Sequence, residues 1–460
     1  MDGCLEHQDL RWREPAEIAG ILHQMPGFVW LDSAGGGQVS GRYSYMAAAP
    51  VSDFRWPQAD GNSGFEAAFR AWKDSFRSTV LDKGAPFQGG AIGYISYDAA
   101  NIWVPDFQSR HPPSLADTVA FALYDTVLAF DHLNRTLSVY ASGLSAPGVP
   151  PDNDLARKRI AALEQTLGTA PLTESRSGER GDDWSPAPNQ TDYAGLVRQV
   201  QTAIRDGEVY QANIASLWTR PPEASGNPFR DYLRLRTQTE APFSAFGTFG
   251  ARTLLSLSPE RLVKMDPEGH VRAEPIKGTA RRATDPQQDR KIAEALARSK
   301  KDRAENIMIV DLMRNDLSRV CLPESVTVAD LCRVETLPNL HHLVSAVDGR
   351  LEPGRDAIDL LAAVFPGGSV TGAPKSRAME IIDDLEPAAR GAFCGALGYI
   401  GFDGACDFNI MIRTIELLPS GARYWSGAGL TLLSEPAAEW AEVQLKAERI
   451  LSRNSVPLVS

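Results

Sequence analysis

The spacing of apolar residues predicts the elements before any chemistry is considered. Apolar runs of strand length occupy residues 28–33, 42–46 and 89–97, with Gly36 and Gly37 punctuating between the first two. Residues 64–78 switch to helical spacing through Phe65, Phe69, Trp72 and Phe76. Residues 119–130 and 136–141 read as a hairpin turning at Asn134 and Arg135, and 154–167 read as a helix. On either side of that helix the pattern fails. Residues 147–153 are proline-rich, and 172–189 are dominated by Ser, Gly, Pro and charges. Such composition buries little surface, so it predicts a linker between two regions, 1–180 and 190–452, that interlock in one globule.

The second region opens with Thr191 as a helix cap, followed by Leu196, Val200, Ala203 and Ile204 at helical spacing up to Gly207. Strand-like segments at 209–217, 245–249, 252–258 and 261–265 are separated by turns. Short turns suffice only for antiparallel neighbours. The expected fold class is therefore α+β, with large antiparallel sheets packed together and helices outside. Residues 302–319 form a helix that Asp302 caps, and its centre, Ile307, Met308, Ile309 and Val310, is apolar on every side, which predicts burial all round. At 365–385 a glycine turn runs into a helix. Gly367, Gly368 and Gly372 permit positive φ, Pro374 suits the first helical position, and Ala378, Met379, Ile381, Ile382 and Leu385 form the apolar stripe. The turn amides, the hydroxyls of Ser369 and Thr371, and the cations Lys375 and Arg377 together suit an anion. A tight turn capping a core helix explains the same residues. In the last helix, 436–451, Trp440, Val443, Ala447 and Ile450 face inward. Glu435, Glu439, Glu442 and Lys446 form a separate stripe that reads first as a solvated face.

Composition narrows the classes. The chain of 460 residues is 43% hydrophobic and 23% charged, with a formal net charge of -11. No basic run interleaves with aromatics, so nucleic acid and anionic membrane are not expected partners. The cysteines Cys4, Cys321, Cys332, Cys394 and Cys406 form no CxxC pair, which suits a reducing compartment. The opening stretch has no apolar core for a signal peptide, and no apolar run reaches membrane-spanning length. A cytoplasmic protein is expected. HExxH, GxSxG and Walker lysine loops are absent from the sequence. Lys277, in Pro275-Ile-Lys-Gly-Thr279, could be a nucleophile if burial or neighbouring cations lowered its pKa, although most lysines are simply solvated. A carboxylate from the last helix and one from the helix at 302–319 could nonetheless share a Mg2+.

Ten segments in order, DGEVYQANIA, SLSPERL, PIKGT, DRAENIMIVDLMRNDLSRV, HHLVS, FPGGSVTGAPKSRAMEIID, FCGALGYIG, IMIRT, GAGL and EWAEVQLKA, resemble the chorismate-utilising enzymes across about residues 190 to 452. WLDSA, RYSY and GGAIGYISYD extend the resemblance into the first region. It implies Mg2+ held by Glu305 and Glu442 against the ring carboxylate of chorismate. Arg413 and the backbone around Gly427 and Gly429 would grip the enolpyruvyl side, with Ser369 and Thr371 lining the same pocket. His342 would lie near the ring, Glu260 would act as general acid, and Gln211 stands where water-using relatives carry an activating lysine. The relatives that aminate C2 have alanine inside PIAGT, whereas those that aminate C4 have the lysine found here as Lys277. The resemblance thus implies attack by Lys277 on C2, then addition of ammonia at C4, on the route to 4-aminobenzoate and folate. The sequence holds no glutaminase signature, so a separate glutamine amidotransferase subunit is the expected source of ammonia. Ser33, in LDSA, and Pro242, Phe243 and Ser244 resemble the tryptophan pocket of relatives, which makes tryptophan a further expected ligand. Phe393 and Ala91 depart from the pattern, where tyrosine and tryptophan are common. Two other readings stand beside this one: amination at C2 to give anthranilate, and a non-catalytic, tryptophan-binding scaffold for an amidotransferase.

Overall fold

In the computed structural model, residues 5–34, 41–57, 64–104, 107–168, 184–222, 226–336 and 340–451 are described. Cys4, Gly36, Gly37 and residues 172–183 of the predicted linker lie outside them. The apolar runs become strands because alternate side chains can be buried on opposite faces, and the strands join in two antiparallel sheets of twelve and ten. The larger runs from Glu6–Leu10 through Thr136–Ala141, Thr126–Asp131, Tyr43–Ala47, Val29–Asp32, Phe243–Phe249, Arg252–Ser258, Thr414–Leu418, Gly421–Leu430 and Gln211–Arg220 to Gly372–Ala373, with Ser185–Ala187 also on Gln211–Arg220. The smaller runs from Ile276–Arg281 through Leu340–Arg350, His270–Ala273, Arg261–Met265, Cys406–Ile410, Ala396–Gly401, Gly90–Ile95 and Asp117–Tyr124 to Ser52–Pro57, with Thr327–Thr336 on Leu340–Arg350. Both sheets therefore take strands from either side of residues 169–183.

Period-two burial on Gln211–Arg220 shows how the layers form. Ala212, Ile214 and Trp218 face helices Gln190–Arg205 and Pro436–Leu451, where Tyr193, Val197, Trp440 and Val443 pack on them. Ala215 and Leu217 point the other way, into the core they share with Trp425, Val263 and Phe408 of the two sheets. Each large side chain so buried stabilises the fold by about 1.5–3 kcal/mol. Among the described residues, no helix is long and apolar enough to cross a membrane. Cys321, Cys332, Cys394 and Cys406 are buried free thiols.

Several expectations shift. The run 119–130 is two strands, Asp117–Tyr124 in the smaller sheet and Thr126–Asp131 in the larger. The chain changes sheet at buried Asp125, whose carboxylate accepts the Thr126 hydroxyl (3.0 Å) and the Gly143 amide (3.2 Å) and pairs with Arg159. Only the Thr126–Asp131 half makes the hairpin with Thr136–Ala141. Helix caps fall earlier than predicted. Asn189, not Thr191, caps Gln190–Arg205, and Ser299, not Asp302, caps Lys300–Leu317. In that second helix Ile309 and Val310 are buried but Ile307 is exposed, so the helix has one buried face, not four. Pro374 precedes the helix Lys375–Leu385 as its cap, and of the three turn glycines only Gly372 takes positive φ.

Candidate active site

The strand Ile276–Arg281 pairs with Leu340–Arg350, but its register shifts between Ile276 and Thr279. That bulge contains Lys277 and Gly278, and a bulge re-aims the side chain it carries. Gly278 has φ of 89°, and a Cβ there would come within 2.9 Å of the Asp302 side chain. Only glycine lets the bulge pass so close beneath the helix. Thus aimed, Lys277 Nζ donates to the Ser369 carbonyl at 3.0 Å, in the 3-10 turn Gly368–Val370.

Glu260 enters from the short connection between Arg252–Ser258 and Arg261–Met265, and it is buried. Its backbone is fixed, since Ser258 Oγ accepts its amide at 3.2 Å and the Ile410 amide donates to its carbonyl at 3.0 Å. Desolvation raises its pKa above the usual carboxylate value. The Lys277 charge, the Ser369 hydroxyl, the Ile276 amide and Arg413 oppose that rise. Desolvation likewise lowers the pKa of Lys277; Lys446 adds to the fall, while Glu260, Glu305 and Glu442 resist it. A carboxyl pushed up and an amine pushed down face each other, an arrangement in which both can be neutral.

His342 lies opposite Thr279 in the ladder, and its Nδ1 is 2.8 Å from the Thr279 hydroxyl. Burial, then Arg413 and His341, lower its pKa to about 4, so the ring is neutral at pH 7. Its Nε2 is buried without a hydrogen bond. Arg413 is held at φ of 52°, a left-handed conformation that costs a non-glycine residue energy and is found where surroundings over-determine it. Thr371 Oγ1 donates to the Gly367 carbonyl at 3.0 Å, closing the turn on itself.

Across the ladder, Gly427 and Gly429 pair with Ala215 and Asn213. A Cβ on Gly429 would stand 2.7 Å from Gln211 Nε2 and 3.6 Å from Lys277 Nζ. Here glycine makes room for the opposing side chains. Gln211 is fully buried, and neither its oxygen nor its nitrogen has a partner.

Glu305 projects from Lys300–Leu317, with Lys301 at 4.0 Å and one carboxylate oxygen buried without a hydrogen bond. Desolvation raises its pKa, and Lys277 and Lys301 resist. Glu442, on Pro436–Leu451, pairs with Lys446 at 2.7 Å, and Lys446 also donates to the Gly427 carbonyl at 2.9 Å. About half of the Glu442 side chain is open to solvent (52%), yet it carries a desolvation cost that Lys446 outweighs, leaving its pKa lowered. Both carboxylates act on Lys277, which puts them on one site, and hard carboxylate oxygens with an orphaned buried atom suit Mg2+. Asp266, Glu268 and His270 also gather closely, but around the hairpin joining Arg261–Met265 to His270–Ala273, where Asp266 accepts the His270 amide and ring nitrogen.

The cations expected beside the glycine turn are already used. Lys375 Nζ pairs with buried Asp316 at 2.8 Å, and Arg377 pairs with Glu208 at 2.6 Å and Glu380 at 2.5 Å. The turn is instead braced by Arg390, which donates to the Val370 carbonyl (3.0 Å) and the Asn213 carbonyl (2.7 Å) and pairs with Glu386 at 2.7 Å. No sequence signal marked Arg390 or Asn213. Asn213 could have been found by its place two residues beyond Gln211 on one strand face.

The other predicted cluster is separate. Ser33 Oγ donates to the Tyr43 carbonyl at 2.7 Å and is 3.1 Å from the Pro242 carbonyl. Ser244 Oγ donates to the Ala241 carbonyl, and the Phe243 ring lies under the Arg261 guanidinium at 4.5 Å. Neither of two small surface crevices, one at Trp184 and Arg220 and one at Ser109 and Asp383, holds any of these residues.

Comparison with known proteins finds the chorismate binding enzyme family matching residues 27–452. Aminodeoxychorismate synthase component 1 of Salmonella typhimurium is 41% identical over 372 residues, 80% of this chain and 78% of that protein. Anthranilate synthase component 1 of Streptomyces coelicolor is 37% identical over 379 residues, 80% of this chain and 73% of that protein. Among solved structures, anthranilate synthase component I from Streptococcus pneumoniae superposes with a TM-score of 0.79 at 29% identity, covering 90% of this chain and 93% of that one.

Proposed function

The chain belongs to the chorismate binding enzyme family, and from that premise we propose that it aminates chorismate at C4 to give 4-amino-4-deoxychorismate. It serves as the ammonia-using component beside a glutamine amidotransferase subunit. The observation that carries this reading is Lys277, held by its bulge against Ser369 with its pKa lowered, facing Glu260 with its pKa raised. The relatives named aminodeoxychorismate synthase component 1 support it at 41% identity.

In this mechanism neutral Lys277 forms a bond from Nζ to C2 while the ring double bonds relay toward C4. Glu260 gives its proton to the C4 hydroxyl, which departs as water. The lysine nitrogen, now carrying an extra proton, returns it to Glu260. Ammonia then bonds to C4 as the C2–lysine bond breaks. Glu260 protonates the leaving lysine nitrogen and takes a proton from the new C4 ammonium, so that both residues end as they began. Arg413 pairs with the enolpyruvyl carboxylate, a match for its planar donors. Ser369 and Thr371 line the pocket, and neutral His342 turns Nε2 to the ring. Glu305 and Glu442 would hold Mg2+, whose chemistry there would be charge neutralisation of the ring carboxylate. Tryptophan as a ligand rests on the resemblance around Ser33, Pro242, Phe243 and Ser244. The free thiols support a cytoplasmic setting.

The test is product analysis. Protein incubated with chorismate, Mg2+ and ammonium salt should give 4-amino-4-deoxychorismate, and should use glutamine only once the amidotransferase is added. Anthranilate as the product would favour the second reading, which the Streptomyces coelicolor and Streptococcus pneumoniae proteins support. No turnover with either nitrogen source would favour a scaffold.

A further inference from the structure

The strand Gln211–Arg220 brings two carboxamides to the same face, since Gln211 and Asn213 are two residues apart. Asn213 is only 8% exposed, and its Oδ1, like both polar atoms of Gln211, is buried with no hydrogen-bond partner. Each amide meets a glycine across the ladder. A Cβ on Gly427 would come within 2.9 Å of Asn213 Oδ1, as one on Gly429 would crowd Gln211 and Lys277. The main chain of Asn213 is fully engaged, its amide on the Thr371 carbonyl at 2.8 Å and its carbonyl on Arg390 at 2.7 Å. Only Oδ1 is left unsatisfied. A buried acceptor in that state is a net cost to the fold, so a ligand that donates to it is the natural counterpart.

The ligands of the proposed reaction differ sharply in what they can donate. Chorismate as a dianion offers acceptors and a single O–H, at C4, which Glu260 addresses. Ammonia offers three N–H bonds. The two orphaned amide oxygens on one strand face therefore match ammonia, while Gln211 Nε2, a donor also without a partner and the atom turned to Gly429, suits an oxygen of chorismate. We propose that Asn213, with Gln211, binds the ammonia: their carbonyl oxygens accept its N–H bonds and turn its lone pair to C4. A neutral amide suits this task better than a carboxylate, because a carboxylate would favour ammonium, whose lone pair is already used. The bond made is nitrogen to C4, the bond broken is C2 to Lys277, and Glu260 carries the protons as above. The inference rests on the C4-amination reading and adds to it the residue that selects and orients the nucleophile.

The experiment compares wild type, Asn213→Ala and Asn213→Asp with chorismate, Mg2+ and ammonium chloride, measuring KM for ammonia and for chorismate separately. The Lys277 adduct is quantified by mass spectrometry of the quenched reaction. Asn213→Ala should raise KM for ammonia about tenfold, leave KM for chorismate within about twofold, and let the adduct accumulate, because only the second step has lost its contact. Asn213→Asp, which keeps the shape and an acceptor, should recover ammonia binding but move the pH optimum upward as the carboxylate holds ammonium. Unchanged KM for ammonia and adduct level in both variants would overturn the inference, as would an equal rise in both KM values, the mark of a merely structural residue. The wild-type control separates the failures. If it makes no C4-aminated product, the reading beneath the inference falls with it.

Discussion

Two polar clusters in this molecule were expected to bind ligands, and they are built in opposite ways. Around Ser33 the polar groups of Ser33, Ser244 and Asp32 each find a partner inside the protein. Ser33 Oγ donates to Tyr43, its amide donates to Ser44 Oγ at 2.9 Å, and buried Asp32 takes the Tyr232 hydroxyl at 3.0 Å and Arg236 at 2.6 Å. Around Lys277 the reverse holds, with Gln211, Asn213, Glu305 and His342 each burying an atom that nothing satisfies. Among the described residues the first cluster is satisfied from within the protein, and the second carries a standing cost that ligands can relieve. Burial of polar residues thus tells little by itself; the accounting of their hydrogen bonds tells these two clusters apart.

The comparison can be broken or sharpened by substitution, beginning where the effect is greatest. Lys277→Ala should cut C4 amination by about a thousandfold, with no adduct in the mass spectrum, while full synthesis by that variant would reduce the lysine to an electrostatic bystander. Glu305→Gln should raise the Mg2+ concentration needed for half-maximal rate by at least about tenfold, read from a metal titration of the chelator-treated enzyme. Gln211→Met removes two orphaned groups and keeps the volume. It should lose activity yet raise the unfolding free energy by about 1–3 kcal/mol in urea, a gain that a satisfied residue could not give. Ser369→Ala should act on pH dependence. The Ser369 hydroxyl restrains the desolvation-driven rise of the Glu260 pKa, so without it that pKa moves further up. The limb of the pH–rate profile where activity is lost as Glu260 deprotonates should then shift to higher pH. Ser33→Ala should be the mirror of Gln211→Met, losing about 1 kcal/mol of stability with turnover unchanged.

How much of this could be read from the residues follows from what each pattern encodes. Strands and helices were legible because burial writes a period of two or 3.6 into the chain. Sheet membership was not, since the run from Val119 to Phe130 is equally apolar on both sides of Asp125 and nothing local says that its halves join different sheets. The residues of the cleft were found by resemblance, but not their aim. Lys277 reaches Ser369 through a register shift that depends on its neighbour strand, and the shift leaves no mark except Gly278. Lys375 misled for the same reason, because its partner Asp316 is far away in the chain, and Arg377 is held by distant Glu208 as well as by its helix neighbour Glu380. A cation beside a glycine turn looks alike whether it is free or spent.

The pairing of Gly90–Ile95 with Ala396–Gly401 joins Ile95 to Ala396, about 300 residues later. On the ribosome this sets a waiting time. At about 5–20 residues per second, the strand Gly90–Ile95 is synthesised about 15–60 s before its neighbour exists. Through that interval Ile92, Tyr94 and Ile95, all buried in the finished protein, have no sheet to complete on that side. The interleaving of the two sheets therefore leaves the first region with an unpaired strand edge until the last quarter of the chain has emerged.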